Sequence, residues 1–377
     1  ARLVYRRGGP GLAVWGLAAL WTGIEFARSF GMWAYPWNLL GYSQAGWPAF
    51  IQSADLGGVY LVTFLIALGN TALLALLSNT GAFRVRLGHA LIAAALVLLN
   101  LGYGEYRLAT AGPDPAARPY QVALIQGGVE SFRSWNTDFM QEVLDAYVPP
   151  SRDAINRWEE ETVGDEWLPG ELTGPPLPRD LLVVWPETSV PRTVDQNRPE
   201  RLPSEIYSLV ARAPQADMLI GVAGSPSDPE LKENGCIIVS GDGLRWAHSK
   251  LRPVPYGEVV PFREAVRFLE YPWGDDDITG STSLEPVEWR GRRLGTLICF
   301  DNVFPFITRG FAANGAGSFI LMTNNSWYEL ASGVRQHCDI DVLRAVECRR
   351  PVSRVSTTGY SHLIDAAGRT VRSSELN

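Results

Sequence analysis

The sequence predicts an α/β layered domain following a transmembrane α-helical region, and three observations carry that reading. Composition changes sharply near residue 108: long apolar runs with few charges come before it, and mixed charge, proline and glycine come after it. Beyond that point short β-branched runs alternate with helical patterns, the signature of a layered α/β fold. Three chemically capable residues then fall at or just past the ends of predicted strands, where such folds place their sites.

The expected organisation is a membrane region over residues 1–108, with about three spans, and a catalytic domain over 119–377. Apolar stretches at 12–30, 57–78 and 87–103 each approach the ~20 residues that a spanning helix needs. A signal peptide would account for one such stretch but not for three in succession. Arg2, Arg6 and Arg7 precede the first stretch and Arg84 and Arg86 separate the last two, so the positive-inside rule puts those segments in the cytoplasm and the polar domain on the outer side. Arg28 and Arg107 run against that rule. Between the first two stretches lie Trp33, Tyr35, Trp37, Tyr42 and Trp47, a density of amphipathic rings suited to the headgroup layer. Glu25 and Arg28, three apart, are expected to pair with each other.

In the polar half, strands are expected at 121–126, 181–185, 218–222, 236–240, 293–299 and 318–323. Helices are expected at 137–147, 203–211, 304–314 and 336–349. The acidic, proline-rich stretch 152–179 reads as a short helix followed by a surface excursion.

Net charge is −7 without a charged block, which argues against a nucleic-acid partner. The four cysteines, Cys236, Cys299, Cys338 and Cys348, form no CxxC pair and stand at no zinc spacing, so no metal or other cofactor is expected. Cys338 and Cys348 on one helix would be about 15 Å apart, too far for a disulfide.

Glu187 follows LLVVWP, Lys250 follows a strand-like stretch, and Cys299 ends RRLGTLIC. A thiol attacks as thiolate, so Cys299 needs a base, and Glu187 can take its proton. Attack on a carbonyl builds an oxyanion, which the Lys250 ammonium and the Phe300 backbone N–H can hold. An activated Cys299 is expected to alkylate faster than the other three cysteines.

The flanking residues resemble a known family. WPET at 185–188, HSKLRPVPYGEVVPF at 248–262 and LICFDNVFP at 297–305 are similar to the three signatures of apolipoprotein N-acyltransferases, the membrane-bound branch of the nitrilase superfamily. QGG at 126–128, TNNSW at 323–327 and LRAVECRRPVSRVSTTG at 343–359 extend the resemblance. IEFARS at 24–29, PWNLLGYSQ at 36–44 and GGVYLVTFLIALGN at 57–70 carry it through the apolar half.

The resemblance implies a nitrilase-type αββα sandwich and a catalytic triad of Glu187, Lys250 and Cys299. It makes Glu258 a supporting residue and assigns Trp135, Asn324, Trp327 and Glu347 to lining or bracing the pocket. Asp301 stands where the family usually has glutamate, and Phe300 where it usually has tyrosine. The implied activity moves a fatty acyl chain from a phospholipid to the α-amino group of a diacylglyceryl-cysteine in a lipoprotein, through a thioester. The implied setting is the inner (plasma) membrane, multi-pass, with the catalytic domain periplasmic and the chain monomeric. The start at Ala1 without Met and the stop at Asn377 read as a partial chain. Two alternatives stay open: a membrane-tethered amidase or hydrolase of the same superfamily, and an inactive lipoprotein-binding relative.

Overall fold

The computed structural model describes residues 9–78, 81–112, 118–129, 139–164, 179–195, 198, 201–225, 232–266, 277–328 and 331–375. Apolar helices come first. A π-helical segment, Leu12–Gly16, runs into α1 (Leu17–Ala27); a 3-10 turn, Leu40–Gln44, and the short α2 (Pro48–Ile51) lead to α3 (Ala54–Leu77) and α4 (Phe83–Thr110). Two described helices, α3 and α4, are long and apolar enough to cross a membrane, rather than the three expected. The first stretch is helical too, but its α-helix ends at Ala27, before the predicted limit. The third, predicted as the shortest, is the longest at 28 residues.

Two sheets follow. The first has the order β1-β2-β3-β4-β5, from β1 (Gln121–Leu124), β2 (Leu181–Asp195), β3 (Ala216–Ser225), β4 (Glu233–Ser240) and β5 (Gly243–Ser249). The second has the order β11-β10-β9-β8-β7-β6, from β6 (Val287–Trp289), β7 (Arg292–Ile298), β8 (Ser318–Thr323), β9 (Val352–Ser356), β10 (His362–Ile364) and β11 (Thr370–Ser373). Each sheet holds three parallel strands: β1, β2 and β3 in one, β7, β8 and β9 in the other.

Period-2 alternation explains how the layers stack. On β2, Leu181, Val183 and Trp185 pack outward with Val143, Tyr147 and Leu209 of helices α5 (Met140–Gly164) and α6 (Ser204–Ala211). Leu182 and Val184 face inward, against Ile298, Ile320, Met322 and Val355 of the other sheet. The second sheet's outer face packs on α7 (Pro305–Ala313) and α8 (Ala331–Cys348). Helix, sheet, sheet and helix form four layers, as expected. Each fully buried Val, Leu or Ile contributes about 1.5–3 kcal/mol, so these alternating faces set the register as well as the stability.

The same outer cluster continues into the apolar helices through Phe50, Val59, Val62 and Leu65. A polar joint lies beside it. The Val59 N–H donates to Glu347 Oε1 at 2.7 Å, where α3 kinks at Gly57 and Gly58; Arg344 pairs with Glu347 at 3.1 Å, and Arg349 with Asp55 at 2.6 Å. Gly58 has φ +65°, a conformation that favours glycine.

Several expectations change. Helices 137–147 and the one begun near 152 are a single helix through Pro149 and Pro150, and residues 165–178 lie outside the described ones. Arg2, Arg6 and Arg7 also lie outside them. Glu25 does not pair with Arg28. It is buried, accepting hydrogen bonds from Trp21 Nε1, Leu40 N and Thr63 Oγ1, while Arg28 donates to the Tyr35 carbonyl. Turning inward gives the carboxylate three donors in place of one exposed cation.

Candidate active site

Three pieces of backbone bring the site together, and each is irregular for a visible reason. Between Trp185 and Val190 the ladder of β2 to β3 slips: five steps on β2 face two on β3, from Ile220 to Val222. The four residues between, Pro186 to Ser189, face only Gly221, so they arch out of the strand and carry Glu187. Gly221 makes room for that arch, because a Cβ there would lie 2.2 Å from the Pro186 carbonyl oxygen. On β5 a one-residue bulge at Ala247 re-aims the strand end just before Lys250. Cys299 starts a 3-10 turn, Cys299–Val303, straight after β7, with φ +49°. A positive φ at a non-glycine residue stores strain of order 1–3 kcal/mol, a feature concentrated at functional sites.

Glu187, Lys250 and Cys299 all line one cavity of about 440 Å³. The Lys250 ammonium, fully buried, lies 3.1 Å from the Glu187 carboxylate and 2.8 Å from that of Glu258. Glu258 also accepts the Val254 N–H at 2.8 Å, which ties the 254–258 turn to the lysine. Asn324 contributes its backbone N–H to Glu187 Oε2 at 2.8 Å.

Asp301 connects the two segments that matter. It accepts N–H groups from Leu251 and Arg252, directly after Lys250, and from Ile298, directly before Cys299. Aspartate does this without glutamate's extra methylene because the three amides converge next to its own backbone. Burial pushes its carboxyl up to about 7, although Lys250 and the three amides pull the other way.

Asn234 was not singled out from sequence. Its side-chain amide donates to Glu187 Oε1 at 2.7 Å and to Glu258 Oε1 at 2.9 Å, holding both carboxylates around the ammonium. The signal was faint: an asparagine just ahead of the apolar run CIIV reads as a turn residue, yet it is buried within β4.

The cavity's other wall is aromatic. Tyr35, Trp37, Phe300, Trp327 and Tyr328 line it, with Trp37 and Phe300 stacked at 6.5 Å between centroids. Trp37 and Tyr42 are therefore buried against the sandwich rather than placed in a headgroup belt, whereas Trp33 and Trp47 stay exposed. Glu347 lies in the joint with α3 and does not line this cavity. Trp135 lies outside the described residues.

Charge sets the resting state. Burial alone would lower the Lys250 ammonium, but Glu187 and Glu258 hold it well above its ordinary range. Burial, then the Glu187 carboxylate, pushes the Cys299 thiol up to about 12, against the opposing pull of Lys250. Cys236, pushed by burial, also reaches about 12, and Cys338 and Cys348 about 11. Cys299 is thus held as a thiol beside a carboxylate, so its proton has to leave as the sulfur attacks, the step the sequence assigns to Glu187. With Lys250 offset by two carboxylates, a thiolate would add a second uncompensated negative charge in a buried site. Glu187 already accepts three hydrogen bonds of the about four a carboxylate can take, which leaves one position for an incoming proton.

The chain matches the family model described as "Carbon-nitrogen hydrolase" over residues 181–376, more than half its length, and "Apolipoprotein N-acyltransferase N-terminal domain" over 1–72. The chain belongs to the carbon-nitrogen hydrolase family. Within that family it is similar to an apolipoprotein N-acyltransferase of Geobacter metallireducens, 32% identical over 358 residues, covering 93% of this chain and 63% of the relative. Another, from Pseudomonas putida, is 31% identical over 361 residues, covering 93% and 64%. The chain thus spans a little under two thirds of the length of these relatives. Among solved structures, an amidase from Nesterenkonia sp. superposes with a TM-score of 0.45 at 17% identity, over 71% of this chain and 90% of that one.

Proposed function

We propose that this chain carries the site of an apolipoprotein N-acyltransferase, which moves a fatty acyl group from a phospholipid to the α-amino group of a lipoprotein's diacylglyceryl-cysteine through a thioester on Cys299. The observation that carries this reading is the joint between the site-bearing sandwich and the long apolar helices. Glu347 accepts the Val59 N–H at the kink of α3, and Arg349 pairs with Asp55, which ties the site-bearing sandwich to a helix long and apolar enough to cross a membrane. The names of the relatives agree with it.

The first half-reaction starts with a neutral thiol. As the sulfur attacks the acyl ester carbonyl, Glu187 takes its proton, so S–C forms while negative charge moves to the carbonyl oxygen. Lys250 and the Phe300 N–H hold that oxyanion. Collapse breaks the ester C–O bond, and Glu187 returns the proton to the departing lysophospholipid alkoxide. In the second half the lipoprotein amine attacks the thioester and passes a proton through Glu187 to the departing sulfur. The product is an amide, more stable than the thioester it replaces, so the transfer runs downhill without a nucleotide. Asn234 and Glu258 keep Lys250 in register, and the aromatic wall excludes water from the acyl-enzyme.

The inner membrane, with the sandwich on the outer side, fits the charges. Arg84 and Arg86 lie in the first turn of α4, just past the end of α3, which runs roughly 27 Å from Val59 at the joint to Leu77 at 1.5 Å per residue. The lipid-borne substrates and a monomeric chain belong to the same reading.

The family description favours one second reading, an amidase-type hydrolase with water as the second nucleophile. Incubation with phospholipid and a diacylglyceryl lipopeptide separates the two. N-acyl lipopeptide with stoichiometric lysophospholipid is the expected outcome; release of free fatty acid alone would establish the hydrolase.

A further inference from the structure

The end of β8 supplies three successive residues, and each ties down a different part of the site. Thr323 hydrogen-bonds the Cys299 thiol through its hydroxyl, and Asn324 gives its backbone N–H to Glu187 Oε2 at 2.8 Å. The Asn325 side chain meets a buried imidazole, that of His337 on α8. Thr323 and Asn325 also touch, the hydroxyl donating to Asn325 Oδ1 at 3.3 Å. One short stretch of backbone thus positions both the nucleophile and its base.

His337 joins that stretch to the turn that carries Cys299. Its Nδ1 lies 3.1 Å from Asn325 Oδ1, and its Nε2 lies 2.8 Å from Oδ1 of Asn302, in the 3-10 turn Cys299–Val303. The ring also hydrogen-bonds the Cys299 backbone. Asn302 is itself held, because its Nδ2 donates to Asp341 Oδ1 at 2.6 Å and Arg354 pairs with that carboxylate at 2.6 Å. Trp37 of the cavity wall packs on the imidazole, with ring centroids 4.9 Å apart. The positive φ of Cys299 persists only where the surroundings over-determine it, and a side chain bonded to both the turn and the strand end does so.

We infer that His337 is a positioning residue: by bridging Asn302 and Asn325 it sets the distance between the Cys299 sulfur and the Glu187 carboxylate. The inference rests on Cys299 as the nucleophile of the acyl transfer proposed above. His337 is not among the residues lining the cavity, so it acts through the nucleophile and not on substrate.

The test is single-turnover acyl loading of Cys299 from phosphatidylethanolamine, with the full chain in detergent micelles. Amplitude reports the share of correctly folded chains, and the rate constant reports the geometry of the site. His337→Gln keeps a polar end within reach of Asn302 but cannot also meet Asn325, whereas His337→Phe keeps a ring and loses both partners. Each should lower the rate constant by about 10²-fold, the usual cost of misplacing reacting groups by about an ångström, and leave the half-saturating lipid concentration within about twofold of wild type. Asn325→Ala should act alike. The double variant His337→Gln with Asn325→Ala should fall no further than the worse single one, since both cut the same bridge. Lost amplitude with a wild-type rate constant, as a filler of buried space would give, overturns the inference, and so does a double variant whose losses multiply.

Iodoacetamide needs no acyl donor and keeps the two failures apart. The Thr323 hydroxyl favours the Cys299 thiolate, against burial. Releasing that contact in His337→Gln should slow Cys299 alkylation about fivefold at fixed pH, the worth of one hydrogen bond. If wild type loads no acyl group, the acyl-transfer reading fails and alkylation alone judges His337. A fivefold fall then supports the bridge, and a rate at or above that of wild type overturns it.

Discussion

The buried Asn234 amide spans two carboxylates, donating to Glu187 at 2.7 Å and to Glu258 at 2.9 Å, and so fixes the spacing of the acids on either side of Lys250. Removing that bridge leaves the buried Glu187 and the part-buried Glu258 each short of a donor, where a lost hydrogen bond to a charged group costs about 1.5–3 kcal/mol. Asn234→Ala is expected to lower kcat for acyl transfer by about 10²-fold with a smaller change in KM, measured in single-turnover assays. A mutant that loses stability but keeps kcat would confine Asn234 to a scaffold role.

Gly221 is demanded by the arch that carries Glu187. An alanine methyl there would overlap the Pro186 carbonyl oxygen, a backbone atom unable to step aside. Gly221→Ala should destabilise the fold by roughly 1–3 kcal/mol, the usual range for overpacking, and should lower activity beyond that loss by moving Glu187. Denaturant titration alongside activity at a fully folded temperature checks both parts. Wild-type stability would show that the arch tolerates a side chain.

Because burial and Glu187 hold the Cys299 thiol up to about 12, iodoacetamide should label it slowly at pH 7.5, against the fast alkylation expected from sequence alone, and the rate should rise about tenfold per pH unit up to at least pH 10. Replacing the carboxylate by an amide removes a negative neighbour. Glu187→Gln should therefore speed alkylation at fixed pH by roughly tenfold while abolishing acyl transfer. If the substitution slows both, Glu187 already deprotonates the sulfur at rest.

Acid should unfold the sandwich through buried imidazoles. Burial lowers His248 to about 4 and His337 well below its usual value. A depressed folded value means that the unfolded chain takes up the proton first. The stability contributed is complete above about pH 6.5 and is lost as pH falls through 4, amounting to roughly 3 kcal/mol for His248. His248→Leu should flatten that part of the unfolding profile between pH 6.5 and 4. An unchanged profile would place the acid sensitivity elsewhere.

Much of this architecture was legible because burial leaves periodic traces. LLVVW, FILM and GTLIC are short apolar runs of the kind a strand buried on both faces produces, and they located β8 and β7 within a residue and the start of β2, which runs on to Asp195, ten residues past the expected end. Strands β9 to β11 escaped because SRVS and TVRS alternate too weakly to separate from loop. The sites of Glu187 and Cys299 could be read because each follows such a run, and that of Lys250 because it follows the mixed strand GLRWAHS; the structure brings all three into one cavity. Asn234 could not, since its role depends on carboxylates 47 and 24 residues away in sequence. The aromatic segment 33–47 misled for a related reason: tryptophan suits a headgroup layer and a cavity wall equally, and only tertiary contact sent Trp37 to Phe300 and His337.

The most direct test of the account is the intact mass of the protein after incubation with phospholipid in the absence of any lipoprotein acceptor. One fatty acyl unit per chain should appear, mapping to the Cys299 peptide, labile to hydroxylamine, and discharged to a diacylglyceryl lipopeptide on its addition. Acceptor acylation that proceeds undiminished in Cys299→Ala, or an acyl adduct that maps to another residue, would contradict it.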